Sequence, residues 1–255
     1  MSVDRTHPVL LAGAGPGDPE LLTVAVHRAL TAAEVVIHDG LVPQAILDLI
    51  PPGTRRIAVG KQGFGASVPQ AEIDALLVAE ARAGHRVVRL KSGDPGVFGR
   101  LDEEISALDA AGVPWRILPG LTSASAAAAA IGQSLTCRGR NGALMLMTGH
   151  DASGFAEQDW RALARPGAVA AIYMGKRAAR FIQGRLMMHG ADPASPVTVV
   201  ANASRPDQRI LAATLAGLPE AVAALEGPAI ILWGLAPRDA AHLTLTEPHP
   251  LEAAL

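Results

Sequence analysis

The stretch that most constrains this chain is Val9–Thr23, VLLAGAGPGDPELLT, in which a short apolar run breaks into glycines and prolines and then restarts as helix. Val9, Leu10 and Leu11 read as a buried strand. Gly13, Gly15 and Gly17 permit a sharp turn, and Asp18 with Pro19 supplies an N-cap and a first helical residue. A strand, loop and helix in that order belongs to an α/β sheet, whose ligands sit where loops leave the strands.

A dinucleotide site is the first chemistry to test, because GxGxxG after a strand cradles a pyrophosphate on a helix N-terminus. Glycines at 13 and 15 require a third at 18, and that position is Asp18, whose charge repels a phosphate there. A tight structural turn is the favoured reading over phosphate binding.

With 255 residues, 49% of them apolar, the chain is globular and long enough for one large or two modest domains. Abundant alanine and only 3% aromatics suit close-packed helices over parallel strands. A formal charge of −2 offers no basic field, which argues against nucleic acid as a partner. The one cysteine, Cys137, excludes an internal disulfide and fits a reducing, cytoplasmic home. Neither a signal-peptide core nor an apolar run of about 18 residues is present, so no membrane partner is expected. His38, His150 and His189 show no HxxxH or HExxH spacing, and no metal is expected.

Along the chain, a helix is expected over 19–33, with Leu22, Ala25, Val26, Ala29 and Ala33 on one face. Glu34–His38 is a second strand that delivers Asp39 to its carboxyl end. Ile57–Val59 is a third, followed by Gly60, Lys61 and QGFGAS. Ser67 with Gln70 reads as a capping box for a helix ending at Gly84, and Arg86–Leu90 as a fourth strand. That strand enters a second glycine-rich loop, Lys91–Arg100 (KSGDPGVFGR), before a helix over Leu101–Ala111. Two such loops at one sheet edge suggest a cleft. A fifth strand, Trp115–Leu118, precedes an alanine-rich helix reaching Ile131, and the domain crossover is placed at 120/121. Domains of 1–120 and 121–255 follow. In the second, strands at 143–147, 168–173, 197–200, 209–214 and 229–233 outnumber the helices at 177–189 and 219–225, which predicts partly antiparallel pairing in a mixed α/β domain.

Taken together, GAGPGDPELLT (13–23), HDGLVP (38–43), VGK (59–61), SVPQAEI (67–73), VVRLKSGDPGVFGR (87–100), LPGLTSASAAAAAIGQSLTCRG (118–139), TGH (148–150), YMG (173–175) and PDQR (206–209) resemble the tetrapyrrole (precorrin) methyltransferase family. The resemblance runs in order from Val9 to Gly234. It implies two α/β domains, a mainly parallel N-terminal sheet and a mixed C-terminal one, with S-adenosylmethionine in the cleft between them and normally a homodimer. It also implies a reaction: two methyl groups pass to ring carbons of uroporphyrinogen III, giving precorrin-2 and S-adenosylhomocysteine on the branch to sirohaem and cobalamin.

The resemblance assigns roles position by position. Pro16, Ser92, Gly93, Asp94 and Val97 match the two cofactor loops, Thr122 and Ser123 a Thr-Ala pair, Met174 the YMG methionine, and Ala203 and Ala229 small residues that leave room for adenine. Asp39 and Lys61 match the proton acceptor and proton donor. The octacarboxylate substrate needs local cations, for which Lys61, Lys91, Arg100, Arg138 and Arg140 are the candidates. A sulfonium donor calls for backbone hydrogen bonds and apolar slots, which a glycine-rich loop with one acid provides.

Departures from the family pattern bear mainly on substrate. Gly40 stands where Tyr-Asp-Arg usually places arginine, Ser92 replaces the first loop glycine, Gly65 and Ala66 occupy histidine positions, and Leu101-Asp102 replaces Gly-Gly. A later precorrin therefore remains an alternative substrate. From other classes, a nicotinamide-dependent oxidoreductase with Asp39 on a ribose and a non-catalytic tetrapyrrole carrier also stay open.

Overall fold

The computed structural model describes residues 7–60, 68–151 and 154–238. The chain divides into two units. One runs to Ala126 and includes Asn202–Gln208; the other comprises Ala127–Ala201 and the chain from Arg209.

The first unit holds β1 (Val9–Gly13), β2 (Val35–His38), β3 (Arg55–Ala58), β4 (Val87–Lys91) and β5 (Trp115–Leu118) in one sheet of order β3-β2-β4-β1-β5. Every pairing in it is parallel. Parallel neighbours need crossovers, and crossover helices cover both faces, so the inner strands are apolar nearly throughout. The helices are α1 (Val24–Ala32), α2 (Gln44–Leu47), α3 (Gln70–Arg82) and α4 (Leu101–Ala110). On one face Val26 and Leu30 of α1 and Ile46 of α2 pack with Ala12, Val36, Val88 and Leu90. On the other, Ile73 and Leu77 of α3 and Leu108 of α4 pack with Leu11, Val35, Ile37 and Val87. Alternate strand residues thus serve opposite layers, as the period of two requires.

The chain leaves β1 toward one face and leaves the adjacent β4 toward the other. Such a reversal between neighbouring strands opens a crevice at their carboxyl ends, the usual ligand position in open parallel sheets.

The helix expected over 19–33 is broken. Asp18 caps only a 3-10 turn, Pro19–Leu21, by accepting from Glu20 N at 2.9 Å. Leu22 is extended, and Thr23 then caps α1 through its hydroxyl and Val26 N at 3.3 Å. Two capping residues five apart compete, and the second wins the long helix. Ser67 of the expected capping box lies outside the described residues; Gln70 binds Asp74 Oδ1 at 2.8 Å.

The boundary between units falls inside α5 (Ser123–Ala130). The second unit contains β6 (Met145–Thr148), a hairpin of β7 (His150–Asp151) and β8 (Gly154–Phe155), α6 (Trp160–Leu163), β9 (Ala170–Tyr173), α7 (Ala179–Met188), β10 (Pro196–Ala201), β11 (Arg209–Thr214), α8 (Leu218–Ala223) and β12 (Ala229–Trp233). Its sheet, β11-β10-β12-β9-β6, is antiparallel except for the parallel pair β6/β9, the mixed pattern expected from the scarcity of helices. Ile172, Ile182, Leu186, Val199, Ile231 and Trp233 form its core. Among the described residues no helix is long and apolar enough to cross a membrane.

Candidate functional site

The crevice at the ends of β1 and β4 is built from backbone. Ala14 N donates to Lys91 O at 2.7 Å, which carries the β1/β4 ladder one residue past the strands. Gly15 and Gly93 then form an antiparallel bridge, Gly15 N to Gly93 O at 3.1 Å and Gly93 N to Gly15 O at 2.8 Å. The approach requires glycine: a Cβ at Gly13 falls 2.6 Å from both Gly120 Cα and Gly93 O. Gly93 itself has φ +70, and a Cβ there meets nothing within 4 Å, so this side of the loop faces open space.

Asp94 staples the loop. Its Oδ1 accepts from Gly96 N at 2.8 Å and its Oδ2 from Gly120 N at 2.9 Å, linking the loop after β4 to the loop after β5. Beyond it Phe98 and Arg100 are held at φ 53 and 54, a region that costs non-glycine residues about 1–3 kcal/mol each and collects at ligand clamps and switches. The segment 202–208 lies at the same edge of this unit. Asp18 N donates to Ser204 Oγ at 3.0 Å and Arg205 Nη2 to Leu41 O at 2.7 Å, and the preceding Ala203 is buried.

A line of four charges runs from the strand ends into the α3/α4 layer. Arg89 and Lys91 share with Val87 the face of β4 that α4 covers, and both are only 2% exposed. Glu104 lies one turn from Leu108 on the buried face of α4 and is 0% exposed. Its Oε1 accepts from Arg89 Nε at 2.9 Å and from Lys91 Nζ at 2.6 Å. The other end of the guanidinium donates from Nη2 to Asp39 Oδ1 at 2.5 Å. Asp39 is the outermost member, with a third of its side chain exposed, and its Oδ2 accepts from Ser92 N at 3.4 Å. Carboxylate and cation alternate, so the set is neutral, as burial demands. Burial works against the Arg89 charge, but Asp39 and Glu104 outweigh it and raise its pKa. Burial and Arg89 lower the pKa of Lys91 against the pull of Glu104.

The sequence-expected residues are thus distributed as follows. Pro16, Ser92, Gly93, Asp94, Val97 and Asp39 are brought to the crevice, with Thr122 and Ser123 at the start of α5, where Thr122 Oγ1 accepts from Ser125 N at 3.3 Å. Lys91, expected to meet substrate carboxylates, is instead buried on Glu104, because its position in β4 points it under α4. Arg100 is exposed and paired with Glu103 at 2.6 Å. In the second unit Met174 follows β9 at φ 52 and is 51% exposed, and Ala229 opens β12. Arg138 is exposed; Arg140 binds Ser134 O at 2.6 Å and Asn141 Oδ1 at 2.9 Å. Lys61 lies outside the described residues.

Arg89 and Glu104 carried no expectation. The signal was there: a strand buried on both faces cannot hold Arg and Lys two residues apart without a buried acid opposite, and Glu103-Glu104 opens the following helix.

Comparison with known proteins adds three findings. Residues 8–219 match the family model described as Tetrapyrrole (Corrin/Porphyrin) Methylases. The siroheme synthase of Gluconacetobacter diazotrophicus is 44% identical over 243 residues, 94% of this chain and 51% of that protein; the one from Methylococcus capsulatus is 42% identical over 229 residues, 89% and 48%. The chain therefore spans about half the length of these curated relatives. Among solved structures, uroporphyrin-III C-methyl transferase from Thermus thermophilus complexed with S-adenyl homocysteine matches with TM-score 0.77 and 38% identity over 89% of this chain and 97% of that one. A cobalt precorrin-4 methyltransferase matches with TM-score 0.78 and 29% identity over 88% and 94%.

Proposed function

The chain belongs to the tetrapyrrole methylase family, and from that premise we propose that it is an S-adenosylmethionine-dependent C-methyltransferase that converts uroporphyrinogen III to precorrin-2 by two successive ring methylations. The observation that carries the reading is the Gly15–Gly93 bridge, which brings the β1 and β4 loops together with Asp39 at one edge of the sheet.

The residues suit the cofactor. Gly93 leaves an open side, Asp94 and the glycine backbone fix the loop without a phosphate cradle, and the Thermus relative was solved with the cofactor's demethylated product. Gly93, Asp94 and Val97 hold the donor, with Pro16, Thr122, Ser123 and Ala203 beside them; Met174 and Ala229 keep the cofactor roles that their motifs give them. When bound, the donor supplies an electrophilic methyl on a sulfonium.

Asp39 does the protein's share of the chemistry. A pyrrole carbon that takes up the methyl leaves the macrocycle cationic, and the ring must then lose a proton. The exposed edge of the Asp39 carboxylate stabilises that cation and accepts the proton, while Arg89 keeps the carboxylate fixed in place. Base catalysis of this kind contributes about 10²- to 10⁴-fold; alignment of carbon and methyl supplies the larger part. Lys61 is proposed as the proton donor, and Arg100, Arg138 and Arg140 as contacts for the substrate's carboxylates. The protein works as a homodimer in this reading.

Anaerobic incubation with S-adenosylmethionine and uroporphyrinogen III, followed by mass analysis, tests it. Two added methyl groups are expected. A protein that leaves uroporphyrinogen unchanged but methylates a later precorrin would move the assignment to a sister reaction.

A further inference from the structure

We propose that Glu104 is a positioning residue for the methyl transfer, acting on Asp39 through Arg89 from a place where it touches neither substrate nor cofactor. The proposal deepens the reading of Asp39 as proton acceptor and rests on it.

The geometry is that of a two-ended clamp. Arg89 is anchored on the inner side by Nε to Glu104 at 2.9 Å and presents Nη2 outward to Asp39 at 2.5 Å. Among the described residues its Nη1 reaches strand carbonyls, Ile37 O at 3.5 Å and Leu90 O at 3.4 Å. Glu104 is thus the group that sets how the fork faces Asp39. It is also the only acid among the four charges that is fully buried, and its Oε1 holds Lys91 in the same grip. Among the described residues, the charged groups around it are Arg89 and Lys91 from β4, Asp39 beyond Arg89, Glu103 and Arg100 at the exposed start of α4, and Asp74 of α3, whose charge acts on Arg100.

Charge balance gives the direction. With Glu104 neutral, Arg89 loses its inner counter-charge and faces one carboxylate, Asp39. That carboxylate is then drawn inward and made a poorer proton acceptor, which slows the chemical step and leaves substrate and cofactor binding alone. The same carboxylate also neutralises buried Lys91, so the test must separate its effect on Asp39 from a structural one.

The test is a double-mutant cycle on the full chain using E104Q, D39N and the pair, with kcat and KM for uroporphyrinogen III and the affinity for S-adenosylhomocysteine measured for each. E104Q is expected to lower kcat about tenfold with both KM and cofactor affinity within twofold, and to change kcat less than twofold in the D39N background. E104D, which keeps the charge, is expected to recover activity over E104Q. Equal losses from E104Q in both backgrounds would mean a structural role and overturn the proposal. A D39N protein with full kcat would overturn the assignment of Asp39 first and this proposal with it, so the two failures read differently. If E104Q does not fold, R89K replaces it in the cycle: it keeps the charge and loses the two-ended fork, and the same non-additive loss is expected.

Discussion

Gly15 and Gly93 hydrogen-bond to each other in both directions across the carboxyl edge of the parallel sheet, at 3.1 and 2.8 Å. The pairing joins the two loops that leave neighbouring strands toward opposite faces, at the switch point where open parallel sheets take their ligands. Gly13 lies beneath it, close enough to Gly120 and Gly93 that no side chain fits.

That close approach predicts the behaviour of G13A. A methyl at 2.6 Å from three backbone atoms forces the β1, β4 and β5 loops apart, at a cost of about 1–3 kcal/mol. Urea unfolding is expected to show a lower midpoint, and calorimetry a weaker affinity for S-adenosylhomocysteine. Loss of stability with unchanged affinity would separate the crevice from cofactor binding.

Asp39 predicts a different signature. D39N is expected to lower kcat by about 10²- to 10⁴-fold with cofactor affinity unchanged, since in the proposed mechanism the carboxylate serves the ring and not the donor. A carrier protein would keep its function after this substitution, and an oxidoreductase with Asp39 on a ribose would lose cofactor binding.

Lys91 predicts a pH dependence of stability. Burial and Arg89 hold its pKa below the ordinary 10.5. The unfolded chain then binds the proton more readily between the folded value and 10.5, so stability rises with pH through that interval. Unfolding free energies measured from neutral pH upward are expected to rise for the wild type relative to K91M. Parallel curves would contradict a depressed lysine.

Substrate charge predicts a salt effect. In the proposed reaction the substrate carries eight carboxylates while the chain has a net charge of −2, so its recognition would depend on local cations such as the exposed Arg138 and Arg100. KM is expected to rise with added salt, because screening shortens to about 10 Å at 0.1 M. R138A is expected to raise KM and leave cofactor affinity alone. A KM indifferent to salt and to R138A would remove the cationic contacts from the account.

Much of this architecture was legible in the sequence because its signals are local. Apolar runs such as VVIH and VVRL, each ending in glycine or a charged residue, mark the parallel strands, and the scarcity of helices after residue 143 marks the mixed sheet. The two glycine-rich loops and Asp39 were legible for the same reason. The break at Thr23 was not, because two good capping residues compete and tertiary packing decides between them. Nor was the burial of Lys91. A lysine at a strand end beside glycines looks like a ligand for anions until the helix carrying Glu104, thirteen residues on, is laid over it. Pairings across that distance depend on which face each element turns inward, and no single stretch of sequence carries that information.

The most direct measurement is a crystal structure of the chain with S-adenosylhomocysteine. The ligand is expected against the open side of Gly93 and beside Val97, beyond the ends of β1 and β4, with the Gly15–Gly93 bridge intact. A ligand bound away from that edge of the sheet, or a bridge broken to admit it, would contradict the account.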